Sequence, residues 1–203
     1  MNNIEKELEA GRAVILPTET VYGIFAKALD QEAVDYIYEL KRRPRDKALN
    51  LNVADEKTIR IYSKNQPSYL TKLIHSFLPG PLTIILQANE KVPNWIHSGL
   101  DTVGFRIPAH PKTLDLIRKY GPLVGPSANL SGHASGTKYR AIVSEFDQVV
   151  PGIEDDDFLT GQDSTILDIS SSKARILRQG FITKADLLAQ VPELSFEEDE
   201  LPQ

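Results

Sequence analysis

No cysteine occurs anywhere in the 203-residue chain. That excludes disulfides, thiolate catalysis and cysteine-held metals, and it fits a reducing, cytoplasmic setting. No stretch approaches the roughly 20 consecutive apolar residues of a membrane span, so no membrane partner is expected. The opening Met1-Asn2-Asn3-Ile4-Glu5-Lys6 lacks the basic start and apolar run of a signal peptide. Neither GxxxxGK[ST] nor GxGxxG is present, which removes the P-loop and the dinucleotide fingerprint. His75, His97, His110 and His133 stand apart, with no HExxH, so no metal held by protein side chains is expected. Aromatics are scarce at 7%, with one tryptophan, Trp95. That is poor material for a base-stacking platform.

What is present is an ordinary core-former, 41% hydrophobic with mean hydropathy −0.26. The net charge of −5 is misleading. Glu193, Glu197, Glu198, Asp199 and Glu200 account for all of it, which leaves residues 1–192 neutral and able to carry a basic pocket. We expect a catalytic domain over 1–192 and a solvated acidic tail over 193–203.

Apolar periodicity and turn residues predict helices over 3–11, 31–42, 55–62, 67–77, 111–119, 137–146 and from Thr183 to about 190. Strands are predicted over 13–16, 48–53, 82–86, 102–107, 123–125, 148–150, 165–169 and 174–178, and the alternation of Leu49, Asn50, Leu51, Asn52 and Val53 argues one wet face on the strand over 48–53. The strands and helices intermix without strict repeats. This argues a single α/β (α+β) domain with a large, twisted, mixed sheet flanked by helices.

Three segments carry chemistry. Val14 to Gly23 reads as a strand stopped by Pro17 and followed by the Thr18-Glu19-Thr20 cluster, a usual place for a ligand loop. The run Lys41-Arg42-Arg43-Pro44-Arg45-Asp46-Lys47 puts five cations in seven positions at a helix end. Lysine offers a point charge and arginine a planar fork, a combination suited to a triphosphate, although a solvated helix end is the plain alternative. Pro126-Ser127-Ala128-Asn129 follows a strand and offers hydroxyl, amide and backbone N–H groups to an anion, or is simply a turn. It is no serine-hydrolase elbow, because Asn129 stands where the second glycine belongs. Arg106 and Arg178 end strands, where each either meets an anion or faces solvent. Glu19 either hydrogen-bonds neighbouring backbone or acts as a base.

Taken together and in order, these segments resemble the YrdC-like family, the threonylcarbamoyl-AMP synthases of tRNA modification. The family's PTETVYG stands at 17–23, KxRP at 41–44, PGPLT at 79–83, the (L)DTV-x-x-R-x-P-x-H-P block at 100–111, PSAN at 126–129 and [ED]-ST-[IV] at 163–166. The resemblance implies a basic cavity that joins L-threonine, bicarbonate and ATP into threonylcarbamoyl-AMP and pyrophosphate. Lys41 and Arg43 are the implied catalytic cations. Lys41, Arg43, Lys47, Thr102, Ser127, Asn129, Ser135 and Arg178 are implied for ATP. Thr20, Asn52, Arg106, Gly125 and Ser164 are implied for threonine, with Arg106 on its carboxylate. Mg²⁺ would travel on the triphosphate. Hand-off to the tRNA threonylcarbamoyl transferase complex is implied, and weak RNA binding is a possible extra use of the basic surface.

The chain departs from many relatives at Ala48 (often proline), Lys47 (often asparagine) and Gln179 (often proline or glutamate). The extra C-terminal domain of the longer synthases is not seen, so the short single-domain type is expected, and the lack of an acylphosphatase or zinc-finger region argues against the related hydrogenase-maturation carbamoyltransferases. The competing readings are an RNA-binding module of the same fold and a paralogue with weak or different adenylation activity.

Overall fold

Four strands are short enough, at two or three residues, that they hold together only as members of one sheet. A computed structural model describes residues 3–146 and 149–197 of the chain. In chain order the elements are α1 (Asn3–Glu9), β1 (Val14–Leu16), β2 (Gly23–Lys27), α2 (Gln31–Leu40), β3 (Leu51–Asn52), α3 (Glu56–Tyr62), β4 (Ser63–Lys64), α4 (Leu70–Phe77) and β5 (Leu82–Ala88). Then come α5 (Asn94–His97), β6 (Thr102–Arg106), α6 (Pro111–Tyr120), β7 (Leu123–Val124), α7 (Tyr139–Val143), β8 (Thr165–Asp168), β9 (Arg175–Arg178) and α8 (Lys184–Gln190). The sheet runs β1-β2-β7-β3-β6-β5-β8-β9, with β4 added on β5. The pairs β3–β6 and β5–β8 are parallel and the other pairs antiparallel, so the sheet is mixed as expected.

The two sheet faces differ in a way that creates the site. One face is apolar across its width: Ile24, Ala26, Val124, Leu51, Phe105, Ile84 and Leu167 join the large core under α2 and α4. The other face has a smaller core only toward the β1–β2–β7 side, where Val14, Leu16, Phe25 and Leu123 pack on Ile4 and Leu8 of α1 and on Leu116 and Ile117 of α6. In mid-sheet that face turns polar. Asn52 pairs with Arg106 across β3–β6, and Thr83 with Ile166 across β5–β8. Strand alternation puts these side chains on one face, opposite Leu51 and Phe105.

Several sequence expectations need correcting. β2 was read as loop, because it is buried on both sides and has no apolar–polar alternation to signal it. The strand expected over 48–53 is regular only at Leu51–Asn52, and the helix over 137–146 shrinks to Tyr139–Val143. Of the strand expected over 148–150, residue 148 lies outside the described residues, while 149 and 150 pair with no strand; Gly152 instead bridges Ile15. The short β4 and α5 were not expected. The chain stays attached beyond 192: Leu194 is buried, Ala174 N–H donates to Ser195 O at 2.7 Å, and Phe196 bridges Ala174. Residues 198–203 of the acidic tail lie outside the described residues. Among the described residues no helix is long and apolar enough to cross a membrane.

Candidate active site

The polar mid-sheet floors a cavity of 280 Å³, walled by the loop after β1, the turn after β7 and the start of β8. Its lining includes the expected Arg43, Asn52, Arg106, Gly125, Ser127, Ser164 and Arg178, which sequence separations of up to 135 residues had kept apart. The wet face foreseen on the third strand is the cavity floor, since Asn50 and Asn52 both line it. Gly125 is required there. A Cβ on it would stand 2.4 Å from Phe25 Cε1 and 2.7 Å from Asn52 Nδ2.

The Arg106 end is built from the ligand loop. Arg106 Nη2 donates to Glu19 Oε1 at 2.7 Å, to Thr20 Oγ1 at 2.6 Å and to Thr18 Oγ1 at 3.3 Å. The second Glu19 oxygen accepts from Ala109 N–H at 2.9 Å. Glu19 thus serves as the counter-ion of a buried arginine. Arg106 Nε is buried with no partner, which leaves one donor for an incoming acceptor. Thr20 itself is fully buried behind Thr18, which lines the cavity in its place.

A second wall begins at the C-terminus of α2. Asp30 caps the start of that helix, its side chain accepting from Ala33 N–H. The helix ends in a left-handed turn. Arg42 sits at φ +50°, Arg42 N–H donates to Glu39 O, and Arg43 N–H donates to Tyr38 O at 2.8 Å. Glycine usually occupies that position, so an arginine there costs about 1 kcal/mol and keeps the cationic run unbroken. The turn sends Lys41 inward and Arg43 to the cavity. Lys41, expected on phosphates, is 1% exposed and does not line the cavity. Its Nζ donates to the Ser127 and Asn129 carbonyls and ties α2 to the Pro126–Asn129 turn. Burial, reinforced by neighbouring Arg43 and opposed by Glu145, pushes its pKa down to about 8. Arg43 donates to the carbonyls of Lys47 and Ala48.

On the third side, Ser164 shares a hydrogen bond with Thr83 Oγ1 at 3.0 Å and accepts from Arg178 Nη2 at 3.0 Å. Arg178 also faces Asp163, 3.6 Å away. Asp163 in turn accepts from Ser135 Oγ at 3.4 Å, so Ser135 stands behind the wall. Asn129 is buried, donates to the carbonyls of Leu130 and His133, and keeps Oδ1 without a partner. Two expected residues are elsewhere. Lys47 is exposed and off the cavity, because it lies past the turn that aims Arg43. Thr102 opens β6, four residues from Arg106, which at roughly 3.3 Å per residue places it about 13 Å along the strand. Thr18, Thr83, Asn50 and Asp163 are lining residues that sequence reasoning missed. The PTETVYG, PGPLT and [ED]-ST-[IV] blocks contain Thr18, Thr83 and Asp163 but single none of them out. Among the described residues no group of three or more His, Asp or Glu is placed to hold a metal ion.

A mixed sheet whose polar centre is lined by arginines, hydroxyls and carboxamides defines an α/β protein with a polar, arginine-lined cleft. The family model described as telomere recombination, covering the Sua5, YciO and YrdC proteins, matches residues 6–180, and the chain belongs to that family. It is 39% identical to the threonylcarbamoyl-AMP synthase of Pyrococcus abyssi, over 85% of this chain and 52% of that one. It is 38% identical to the synthase of Bacillus subtilis, over 91% of this chain and 54% of that one. The chain therefore spans about half the length of these curated relatives. A putative synthase of Methanocaldococcus jannaschii is 37% identical over 88% of this chain and 84% of its own. The crystal structure of P. abyssi Sua5 complexed with L-threonine superposes with a TM-score of 0.85 at 34% identity, over 95% of this chain and 57% of that one.

Proposed function

We propose that this chain is a threonylcarbamoyl-AMP synthase, joining L-threonine, bicarbonate and ATP with release of pyrophosphate. The observation that carries the reading is one cavity with an arginine nest at one end and a second cationic wall opposite it, in a family whose relatives bear that name. Arg106 takes the threonine carboxylate; its unpartnered Nε supplies the donor a bidentate grip needs. Thr83, Ser164 and Asn52 floor the space in which the threonine nitrogen bonds to the bicarbonate carbon as one C–O bond breaks and water leaves, and the resulting carbamate is held out of bulk water. A carbamate oxygen then forms a bond to the α-phosphorus of ATP as the bond to the pyrophosphate oxygen breaks. Arg43 and Arg178 face the charge that builds on the phosphates. Lys41 and Asn129 shape the nucleotide turn from behind. Mg²⁺ enters on the triphosphate and adds charge neutralisation. The short-lived product is handed on in the cytoplasm to the tRNA threonylcarbamoyl transferase machinery.

The test is pyrophosphate release from ATP and bicarbonate with each amino acid in turn. Release that requires both threonine and bicarbonate is expected; release indifferent to either, or none at all, overturns the assignment. Arg106→Lys replaces a fork by a point charge and is expected to cost about tenfold in kcat/KM for threonine, about 1.4 kcal/mol, with the ATP KM little changed.

A further inference from the structure

Two residues of the sequence blocks have no part in the proposed chemistry, although both are buried: Tyr22 at the end of the ligand loop and His110 before α6. Both reach the same segment. His110 Nε2 lies 3.2 Å from Asp155 Oδ2, and its ring meets Phe158 edge-on with centroids 4.6 Å apart. An ionised Asp155 only accepts, so Nε2 carries the proton. Tyr22 uses its hydroxyl fully, donating to Asp156 Oδ1 at 2.8 Å and accepting from Asp155 N–H at 2.8 Å. Asp156 is fixed further by Tyr139 N–H at 2.9 Å.

Residues 155–161 have little regular structure of their own beyond a single 3-10 turn. Yet they lie directly on the ligand loop, where Thr160 N–H donates to Glu19 O at 3.0 Å and Gly161 N–H to Thr20 O at 2.8 Å. Two residues further on, Asp163 and Ser164 enter the cavity wall. The stretch 106–110 therefore grips the loop twice. Arg106 and Ala109 hold Glu19 directly, and His110 holds the strap that covers it.

We propose that His110 and Tyr22 are positioning residues which, through Asp155 and Asp156, clasp residues 155–161 over the Thr18–Tyr22 loop and so set the carboxylate-binding geometry of Arg106. The inference deepens the proposed use of threonine and rests on it. Loosening the clasp frees Glu19 and Thr20, and with them the orientation of the guanidinium, while the Pro126–Asn129 turn, which Ala128 N–H joins to Tyr22 O at 2.8 Å, keeps its separate tie to Lys41.

The test combines hydrogen exchange on the ligand-free protein with initial rates on His110→Leu, Asp155→Ala and His110→Gln. In the first two variants, amides of 18–22 and 155–161 are expected to exchange roughly tenfold faster. The KM for threonine should rise about fivefold or more while the KM for ATP stays within about twofold. Glutamine can present its Nε2 near the imidazole position, so His110→Gln should recover most of both effects. Unchanged exchange in both segments, a parallel rise of the two KM values, or a glutamine variant as impaired as leucine overturns the clasp. Should His110→Leu fail to fold, Asp155→Ala decides, because Asp155 keeps 39% of its side-chain surface exposed. A parent protein that releases no pyrophosphate with threonine refutes the proposed function, and the exchange arm still settles the clasp.

Discussion

Arg106, largely buried, and Lys41, fully buried, are cations beside one cavity, and they are neutralised by opposite means. Arg106 faces a carboxylate and two hydroxyls, so its charge is largely matched before any ligand arrives. Lys41 donates to the dipoles of two carbonyls; Glu145 favours its charge, but burial and the nearby Arg43 outweigh it and push its pKa down. The matched end has surplus donor capacity for one small carboxylate. The less compensated end, with Arg43 on the cavity wall, is where the proposed function puts the polyphosphate. The difference teaches that the number of cations around a pocket says less about its ligand than the share of their charge already spoken for.

The comparison breaks most visibly at Glu19. Removing it leaves Arg106 nearly enclosed without a counter-ion, and the Ala109 N–H without an acceptor. Glu19→Ala is expected to lower unfolding free energy by about 3–5 kcal/mol in urea titration. A loss under about 1 kcal/mol would mean that solvent in the cavity already carries the charge. The Lys41 end is probed by pH. Its side chain titrates near 10.5 when unfolded and near 8 when folded. Between those values the unfolded chain binds more protons, so this residue's contribution to stability rises with pH. Below pH 8 the folded state bears the full cost of a buried ammonium, about 3 kcal/mol. The unfolding free energy of the parent minus that of Lys41→Met should therefore climb by that amount from pH 8 to 10.5; a flat difference would place Lys41 in contact with an anion or with water. The smallest effect sharpens the contrast in turnover. Arg43→Ala should cost about tenfold in kcat/KM for ATP, about 1.4 kcal/mol, and leave the threonine KM nearly unchanged. That is the mirror image of Arg106→Lys, and equal losses for both substrates in either variant would dissolve the two-ended description.

Local order was legible where local forces set it. Asp30 and Thr183 cap α2 and α8, Gly11 and Gly121 follow α1 and α6 with positive φ, and alternation through Leu49, Asn50, Leu51, Asn52 and Val53 marked a face that proved to be the cavity floor. Harder to read was whatever depends on a distant partner. β2 has no period to betray it, Glu19 looked like a possible base until Arg106 reached it across 87 residues, and Asp155 and Asp156 were anonymous members of an acidic loop until His110 and Tyr22 met them. Lys41 was correctly placed at a helix end, but its direction came from an arginine taking the left-handed position after it.

By itself the amino-acid order determined the class of fold, the family blocks and the residue types available to an anion, because short-range periodicity, capping and composition act within a few residues. Tertiary structure alone decided which cations still need a ligand. Charge compensation in a buried site depends on groups brought within a few ångströms from opposite ends of the chain, and no local pattern records that distance.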